Sequence, residues 1–153
     1  MMPVNNSSIT FNVINNNPDF LVINKPENLS FHDESLLGEG LFNQVKDQLK
    51  IAKLYPVHRL DKMTSGLIIF AKTLACAQWF QHQFQQHTIE KYYIALSDKK
   101  PKKKQGLIKG DMVKSRRGTW KLMRSQNNPA ITQFFSFALP NKTRLYLLKP
   151  HSG

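Results

Sequence analysis

The residues with the clearest chemical potential lie in segment 58–67, where Asp61 stands between Arg59 and a Thr-Ser-Gly turn. That turn opens directly into the apolar run 67–71, which places the Asp61 carboxylate at the edge of a core, within reach of a substrate. In an extended segment Arg59 and Asp61 point to one side, and the guanidinium favours the ionised carboxylate that a nucleophile requires. The same spacing also fits an ordinary ion pair that fixes a loop, so spacing alone leaves both interpretations open.

Length and composition indicate one soluble domain. The chain has 153 residues, 41% of them apolar, enough to bury a substantial core. Its single cysteine, Cys76, cannot form an internal disulfide or a cysteine-rich zinc site, which favours a reducing compartment. The N-terminus lacks the basic start and apolar core of a secretion signal, and no apolar run has the length of a membrane span. We therefore expect a cytoplasmic monomer with no metal site and no membrane partner.

The charge is strongly basic and local. Lysine and arginine outnumber acids by 22 to 10, and segment 99–124 contains eleven of the cations and one acid, Asp111. Such a surface binds polyanions by releasing their counterions, so nucleic acid is the expected partner. Trp120 lies within the segment and could stack on a base or support the loop. The alternative is a solvated loop that serves solubility. The residues expected to bind nucleic acid are Lys102, Lys103, Lys104, Lys114, Arg116 and Arg117.

The elements that must position these residues are short strands and two helices. Turn residues at 15–19 separate two apolar runs and predict a hairpin. Apolar residues at helical spacing predict helices over 38–50 and 73–86, the second capped by Thr73. Further strands are predicted at 54–57, 66–72, 89–97, 106–113, 118–123, 131–139 and 144–148. This order indicates an α+β domain with a strand-rich second half.

Three motifs in order carry a family resemblance: segment 58–67, segment 22–26 with His32, and segment 91–95. Together they resemble the signature, the opening motif and the Lys-x-Tyr strand of the RluA-like RNA pseudouridine synthases. The resemblance implies an α+β fold with a mixed, mostly antiparallel sheet and flanking helices. It also implies an enzyme that isomerises a specific uridine of rRNA or tRNA to pseudouridine, with no cofactor.

The resemblance implies roles for three catalytic residues. Asp61 would be the nucleophile, acting near C1′ or C6 of the uridine. Arg59 would fill the space that the flipped base leaves and would meet the phosphate backbone. Tyr93 would pack on the target base, although a tyrosine at this place also fits the core of a strand.

The chain departs from the family pattern at its end. Family members continue through a Thr-Gly pair into an Arg-x-His-Gln segment, whereas this chain stops at 148–153, within that motif. We therefore expect one catalytic-type domain over 1–153 that is incomplete at its C-terminus, a basic insertion at about 99–117, and no S4-type module.

Two other functions remain open from the sequence. One is a non-catalytic RNA-binding protein that uses the basic segment 99–124, with Asp61 in a structural role. The other is a hydrolase that acts on nucleosides or glycosides. A glycoside hydrolase would need a second carboxylate, for which Glu90 and Asp33 are the candidates.

Overall fold

The computed structural model describes residues 11–32 and 40–152, in which the chain forms two compact units that divide between Gln83 and Phe84. Every strand pair in these ranges is antiparallel, and two α-helices accompany the strands. The expected α+β class is confirmed. The prediction of a single catalytic-type domain with a basic insertion concerns the whole chain and stays a prediction. Residues 1–10 and 33–39, including the candidate Asp33, fall outside the description.

The first unit is a four-stranded sheet with helices. Its strands stand in the order β1-β2-β4-β3. Helix α1 begins at Leu41, within the predicted 38–50, and positions 38 and 39 lie outside the description. The bounds are β1 Asn12–Asn16, β2 Phe20–Lys25, α1 Leu41–Gln48, β3 Tyr55–Pro56, β4 Gly66–Ala71 and α2 Leu74–Gln85, the last of which crosses the division between the units.

Local signals explain the ends of these elements. The side-chain oxygen of Asn17 accepts hydrogen bonds from the backbone N–H groups of Asp19 and Phe20, each at 2.9 Å, and so closes the β1–β2 hairpin. The hydroxyl of Thr73 accepts the N–H of Cys76 at 3.2 Å and caps α2. The predicted hairpin and the predicted cap are therefore both confirmed.

The core of the first unit lies across β2 and β4. Leu21 faces Phe70 and Ile23 faces Ile68 in the strand register, and all four side chains are fully buried. The same alternation along β2 brings Lys25 to this buried face, because it stands two residues after Ile23. A lysine thus ends a row of apolar core residues.

The second unit contains a four-stranded sheet in the order β5-β10-β9-β6 and a separate two-stranded sheet, β7-β8. The predicted strand 89–97 is shorter and begins at Tyr93. The strands are β5 Tyr93–Ser97, β6 Gln105–Gly110, β7 Met112–Lys114, β8 Trp120–Leu122, β9 Ala130–Ala138 and β10 Arg144–Ser152, with a 3₁₀ turn at Arg116–Gly118.

The predicted single strand 106–113 is wrong, because the chain breaks between β6 and β7. A side chain at Gly110 would place its Cβ 2.2 Å from the carbonyl oxygen of Met123, so only glycine fits there. The N–H of Asp111 donates to Ser125 and the N–H of Met123 donates to Asp111, at 2.9 and 2.8 Å. These bonds redirect the chain into the β7–β8 hairpin.

Candidate active site and RNA-binding surface

Asp61 lies in a tight turn between β3 and β4. The N–H of Thr64 donates to the carbonyl oxygen of Asp61 at 3.0 Å and closes the turn. The Asp61 side chain is exposed, whereas the preceding Leu60 is only 6% exposed and anchors the segment in the core. The carboxylate therefore faces solvent from a backbone that is fixed on its inner side.

Lys25 supports this turn from its buried side. Its side chain is fully buried, and its Nζ atom donates to the carbonyl oxygens of Pro26 and Leu29 at 2.9 Å and of Lys62 at 3.1 Å. Burial lowers the pKa of the ammonium group below its usual value, and attraction to Asp61 opposes that shift. A buried cation is thus bonded to the residue directly after Asp61.

His58 fixes the other side of the turn. Its Nε2 atom accepts the backbone N–H of Ile69 at 3.0 Å, which ties the segment before Asp61 to β4. A nitrogen that accepts a hydrogen bond carries no proton, so the neutral form of this imidazole has its proton on Nδ1. His58 therefore serves the turn as a hydrogen-bonding residue.

Gly66 sets the direction in which the chain leaves the turn. Its φ of +132° belongs to a region that residues with a side chain rarely adopt. A Cβ at this position would lie 3.8 Å from Cδ1 of Leu60, which is ordinary contact, so the backbone angle and not crowding demands glycine. The turn before β4 depends on this residue.

Arg59 and Asp61 lie on the same outer side of the segment. Both side chains are exposed, while Leu60 between them is buried, as the predicted alternation requires. Within the part of the chain that the structure describes, no salt bridge joins the two side chains. The loop-fixing ion pair, which was one interpretation of their spacing, is therefore absent.

Tyr93 is the first residue of β5 in the second unit. It is half-buried and pairs with Leu148 of β10 in the strand register. The structure thus describes Tyr93 in one unit and Arg59 with Asp61 in the other.

Of the two candidates for a second carboxylate, Glu90 is the one that lies within the described residues. It forms an ion pair with Lys149 and accepts a hydrogen bond from the hydroxyl of Tyr92 at 3.0 Å. These hydrogen bonds, first that from Lys149, hold the pKa of Glu90 below its usual value. The general acid of a glycosidase requires the opposite shift, because it must carry a proton near neutral pH. Glu90 is therefore unsuited to that role.

The six expected RNA-binding residues fall on two parts of the second unit. One group lies in the loop between β5 and β6, and the other in or beside the β7–β8 hairpin. The side chain of Arg117 lies outside the description, and the other five side chains are exposed. The loop holds Lys102, Lys103 and Lys104, and the hairpin region holds Lys114, Arg116 and Arg117.

The β7–β8 hairpin combines an aromatic ring with positive charge. Lys114 pairs with Trp120 in the register, and its Nζ atom lies 6.0 Å from the centre of the ring, which is 56% exposed. The carboxylate of Asp111 accepts the N–H groups of Asn127 and Asn128 at 3.1 and 2.9 Å. The one acid of segment 99–124 thus holds the base of the hairpin.

Sequence reasoning missed the roles of Lys25 and Arg144. The alternation in β2 offered a signal for Lys25, because Leu21 and Ile23 predict that the residue two further on is buried. Arg144 is the first residue of β10, and its Nε atom donates to the buried hydroxyl of Ser136 at 2.8 Å. Only the β9–β10 register brings those two residues together.

Comparison with known proteins places this arrangement in a family. The model of the RNA pseudouridylate synthase family matches residues 19–153. An RNA pseudouridine synthase of Haemophilus influenzae, itself named uncharacterized, is 48% identical over 141 residues, which are 92% of this chain and 62% of that protein. The ribosomal large subunit pseudouridine synthase C of Vibrio vulnificus is 35% identical over 85 residues, 55% of this chain and 27% of that one.

A solved structure shares the fold. The human RNA pseudouridylate synthase domain containing 1 aligns with a TM-score of 0.76 at 22% identity, covering 100% of this chain and 63% of that one. The chain belongs to the RNA pseudouridylate synthase family, and the expected family is confirmed. It spans about 62% of the length of the Haemophilus influenzae relative. In the described residues, no helix has the length and apolar character to cross a membrane.

Proposed function

We propose that the protein isomerises a specific uridine of rRNA or tRNA to pseudouridine, with Asp61 as the nucleophile and without a cofactor. The observation that carries the proposal is the Asp61 turn, which lies within the family match and holds an exposed carboxylate on a fixed backbone. A nucleophile must be accessible and must also be positioned, because misplacement of about 1 Å can cost two orders of magnitude in rate. Asp61 meets both requirements.

The chemistry breaks the bond between C1′ and N1 of the uridine and rejoins the same base through C5. Asp61 attacks C1′ and displaces N1, or adds to C6 as the C1′–N1 bond breaks; the base rotates, C5 bonds to C1′, and the Asp61 carboxylate leaves the atom it had attacked. The proton on C5 is then lost, and N1 gains a proton. Atoms and oxidation state balance within the substrate, so side chains suffice. The target uridine must leave any helix before Asp61 can reach it.

Arg59 and Tyr93 act on the flipped nucleotide in this proposal. The exposed guanidinium of Arg59, unpaired with Asp61, is available to the phosphate backbone and to the space that the base vacates. Tyr93 packs its ring on the target base, a role that the family resemblance supports. Substitution of Tyr93 is expected to lower turnover more than it lowers RNA affinity. Substitution of Arg59 is expected to lower both turnover and RNA affinity.

Replacement of Asp61 tests the nucleophile. In Asp61→Asn the carboxylate becomes a neutral amide of the same size, so conversion of uridine, measured by reverse-transcription stops after carbodiimide modification, is expected to vanish. RNA affinity is expected to stay within about twofold, since no phosphate contact changes. Asp47→Asn, a change at an exposed aspartate in α1, is the matched control and should convert uridine normally.

Three outcomes of this experiment separate the candidate functions. Normal pseudouridine formation by Asp61→Asn would reject the nucleophile. RNA binding by the wild type with no conversion of any uridine would favour the non-catalytic RNA-binding alternative. Release of free uracil would indicate a nucleoside hydrolase, since isomerisation releases nothing.

The exposed cations of segment 99–124 supply the RNA contacts in this proposal. Neutralising Lys102, Lys103 and Lys104 together is expected to weaken binding and to flatten its salt dependence by about 0.7 in the log–log slope for each lost phosphate contact on a single strand. The same loss is expected for the second group, Lys114, Arg116 and Arg117. We further propose that the protein is a monomer, which sedimentation of the purified protein tests. We also propose that it acts in the cytoplasm, which fractionation of cells that express it tests.

A further inference from the structure

The second unit contains a cavity of about 690 Å³ between the β5–β6 loop and the edge of β9. Its volume is in the range of ligand pockets in proteins. Four of its lining residues are cationic and none is acidic; the cations are Lys100, Lys102, Lys104 and Arg144. The lining thus selects for an anion by charge.

A single buried serine organises the cavity. Ser136 is 7% exposed; its hydroxyl accepts Nε–H of Arg144 at 2.8 Å, and its N–H donates to the carbonyl oxygen of Lys104 at 2.7 Å. One residue therefore fixes both the guanidinium and the lysine-rich loop.

The terminal nitrogens of Arg144 are not engaged by an acidic side chain of the described residues. Among residues 11–32 and 40–152 they make no salt bridge, and the bond to Ser136 uses only Nε. A guanidinium held in this way presents its two terminal amino groups as a fork, which matches the paired oxygens of a phosphate. The neighbouring ammonium groups add charge without a fixed geometry.

The strand register relates the cavity to Tyr93. Tyr93 pairs with Leu148, and Arg144 lies four residues earlier on the same strand, β10. An even separation places Arg144 and Leu148 on one face of the sheet, about 13 Å apart along the strand, and Tyr93 shares the face of its partner. Tyr146 lies between them, and its hydroxyl donates to Lys99 at 2.8 Å, which holds the start of the basic loop.

We propose that this cavity binds a backbone phosphate of the substrate RNA, within a few nucleotides of the uridine at Tyr93, with Arg144 as its main ligand. The identification of the ligand as substrate RNA rests on the proposed function. The presence of an anion site rests on the lining of the cavity alone. Ser136 is a positioning residue, because it acts through Arg144. Lys102 and Lys104 line the cavity, whereas Lys103, which lies between them in the loop, does not.

Binding of a labelled oligouridylate tests the site without turnover. Arg144→Gln is expected to weaken binding about tenfold at low salt, through the loss of a charge-assisted contact, and to flatten the salt slope by about 0.7. Lys53→Gln, a change at an exposed lysine outside the cavity and outside segment 99–124, should change affinity less than twofold. An oligomer with uncharged methylphosphonate linkages should bind Arg144→Gln and the wild type equally.

Three further variants control for a general loss of folding or of surface charge. Lys104→Gln should weaken binding more than Lys103→Gln, and Ser136→Ala should reproduce part of the loss at Arg144 while the salt slope stays unchanged, since the charge remains. Equal effects of Arg144→Gln and Lys53→Gln would overturn the proposal. The proposal would also be overturned if Arg144→Gln lost as much affinity for the neutral oligomer as for the charged one. It would be overturned too if Arg144→Gln lost affinity only for phosphatidylglycerol vesicles and not for the oligouridylate.

Parallel measurement of pseudouridine formation separates this inference from the proposed function. Arg144→Gln should raise KM for the substrate RNA about tenfold with kcat changed less than threefold, since the contact is to a phosphate and not to the reacting base. No conversion by the wild type, with the oligouridylate difference intact, would reject the proposed function only. Normal conversion and normal KM in Arg144→Gln would reject the phosphate site only.

Discussion

The Nζ atom of Lys25 lies 3.1 Å from the carbonyl oxygen of Lys62, so a buried cation from the end of β2 holds the residue that follows Asp61. Its two other acceptors, Pro26 and Leu29, belong to the chain just after β2. The three carbonyl groups come from two separate loops. Lys25 therefore joins these loops and orients the turn that carries the candidate nucleophile.

Lys25→Met should destabilise the protein and slow turnover. Methionine keeps the apolar stem but leaves three carbonyl oxygens without their donor, so the free energy of unfolding should fall by about 3 kcal/mol. The turn loses its tether, so kcat should fall at least tenfold while KM changes little. Urea unfolding and single-turnover pseudouridine assays measure the two effects. The exposed control Lys53→Met should stay within about 0.5 kcal/mol of wild type; an equal loss in both variants would contradict the tether.

Gly66→Ala should strain the chain at the start of β4. At a φ of +132° an alanine Cβ meets the adjoining backbone, and this should cost about 1–3 kcal/mol in unfolding free energy. Gly118→Ala is the comparison, because its φ of +73° is also positive and no atom lies within 4 Å of its Cβ position. Its cost should be smaller, about 1 kcal/mol, since the left-handed helical region is more tolerant. Urea denaturation measures the loss of unfolding free energy in both variants, and an equal or larger loss in Gly118→Ala would contradict the prediction.

Asp111→Asn should loosen the β7–β8 hairpin in a pH-dependent way. Hydrogen bonds, first that of Ser125 and then those of Asn127 and Asn128, lower the pKa of Asp111. A carboxylate whose pKa is lowered in the folded state stabilises the protein at any pH above the pKa that it has in the unfolded chain, about 3.8. This contribution is lost as the pH falls through the lower pKa of the folded state. The stability difference between wild type and variant should therefore be full at pH 6 and shrink below pH 4. Unfolding curves across this range check it, and a constant difference would refute it.

Trp120 offers a test of stacking against loop support. If the ring stacks on a base, Trp120→Leu should weaken RNA binding by about 1–3 kcal/mol, whereas Trp120→Phe should keep most of the affinity. Both replacements remain apolar and occupy the same place opposite Lys114, so hairpin pairing is comparable. Fluorescence anisotropy of a labelled RNA gives the affinities. Equal binding by the two variants, with lowered stability in Trp120→Leu, would assign the ring to loop support.

Local features were predictable from the sequence. The Asn17 turn, the Thr73 cap and the strand that begins at Gly66 each depend on residues close in the chain, and the structure has all three. The exposed Asp61 beside a buried Leu60 followed from alternation alone.

Features that depend on distant parts of the chain were not predictable. The break at Gly110 follows from the carbonyl oxygen of Met123, which no local pattern places there. The partners of Lys25 and the bond from Arg144 to Ser136 likewise require the turn geometry and the strand register. A sequence without aligned relatives contains no signal for such contacts.

The supports of the Asp61 turn described above, Lys25, His58, Leu60 and Gly66, all belong to the first unit, whereas the basic loop and the hairpin belong to the second. Mutations that change charge or length in segment 99–124 leave those supports untouched. Under the proposed function, changes in segment 99–124 therefore alter the RNA contacts while the supports of the Asp61 turn stay the same. Such a division would let the RNA preference of the proposed enzyme change without any change in the turn that carries its candidate nucleophile.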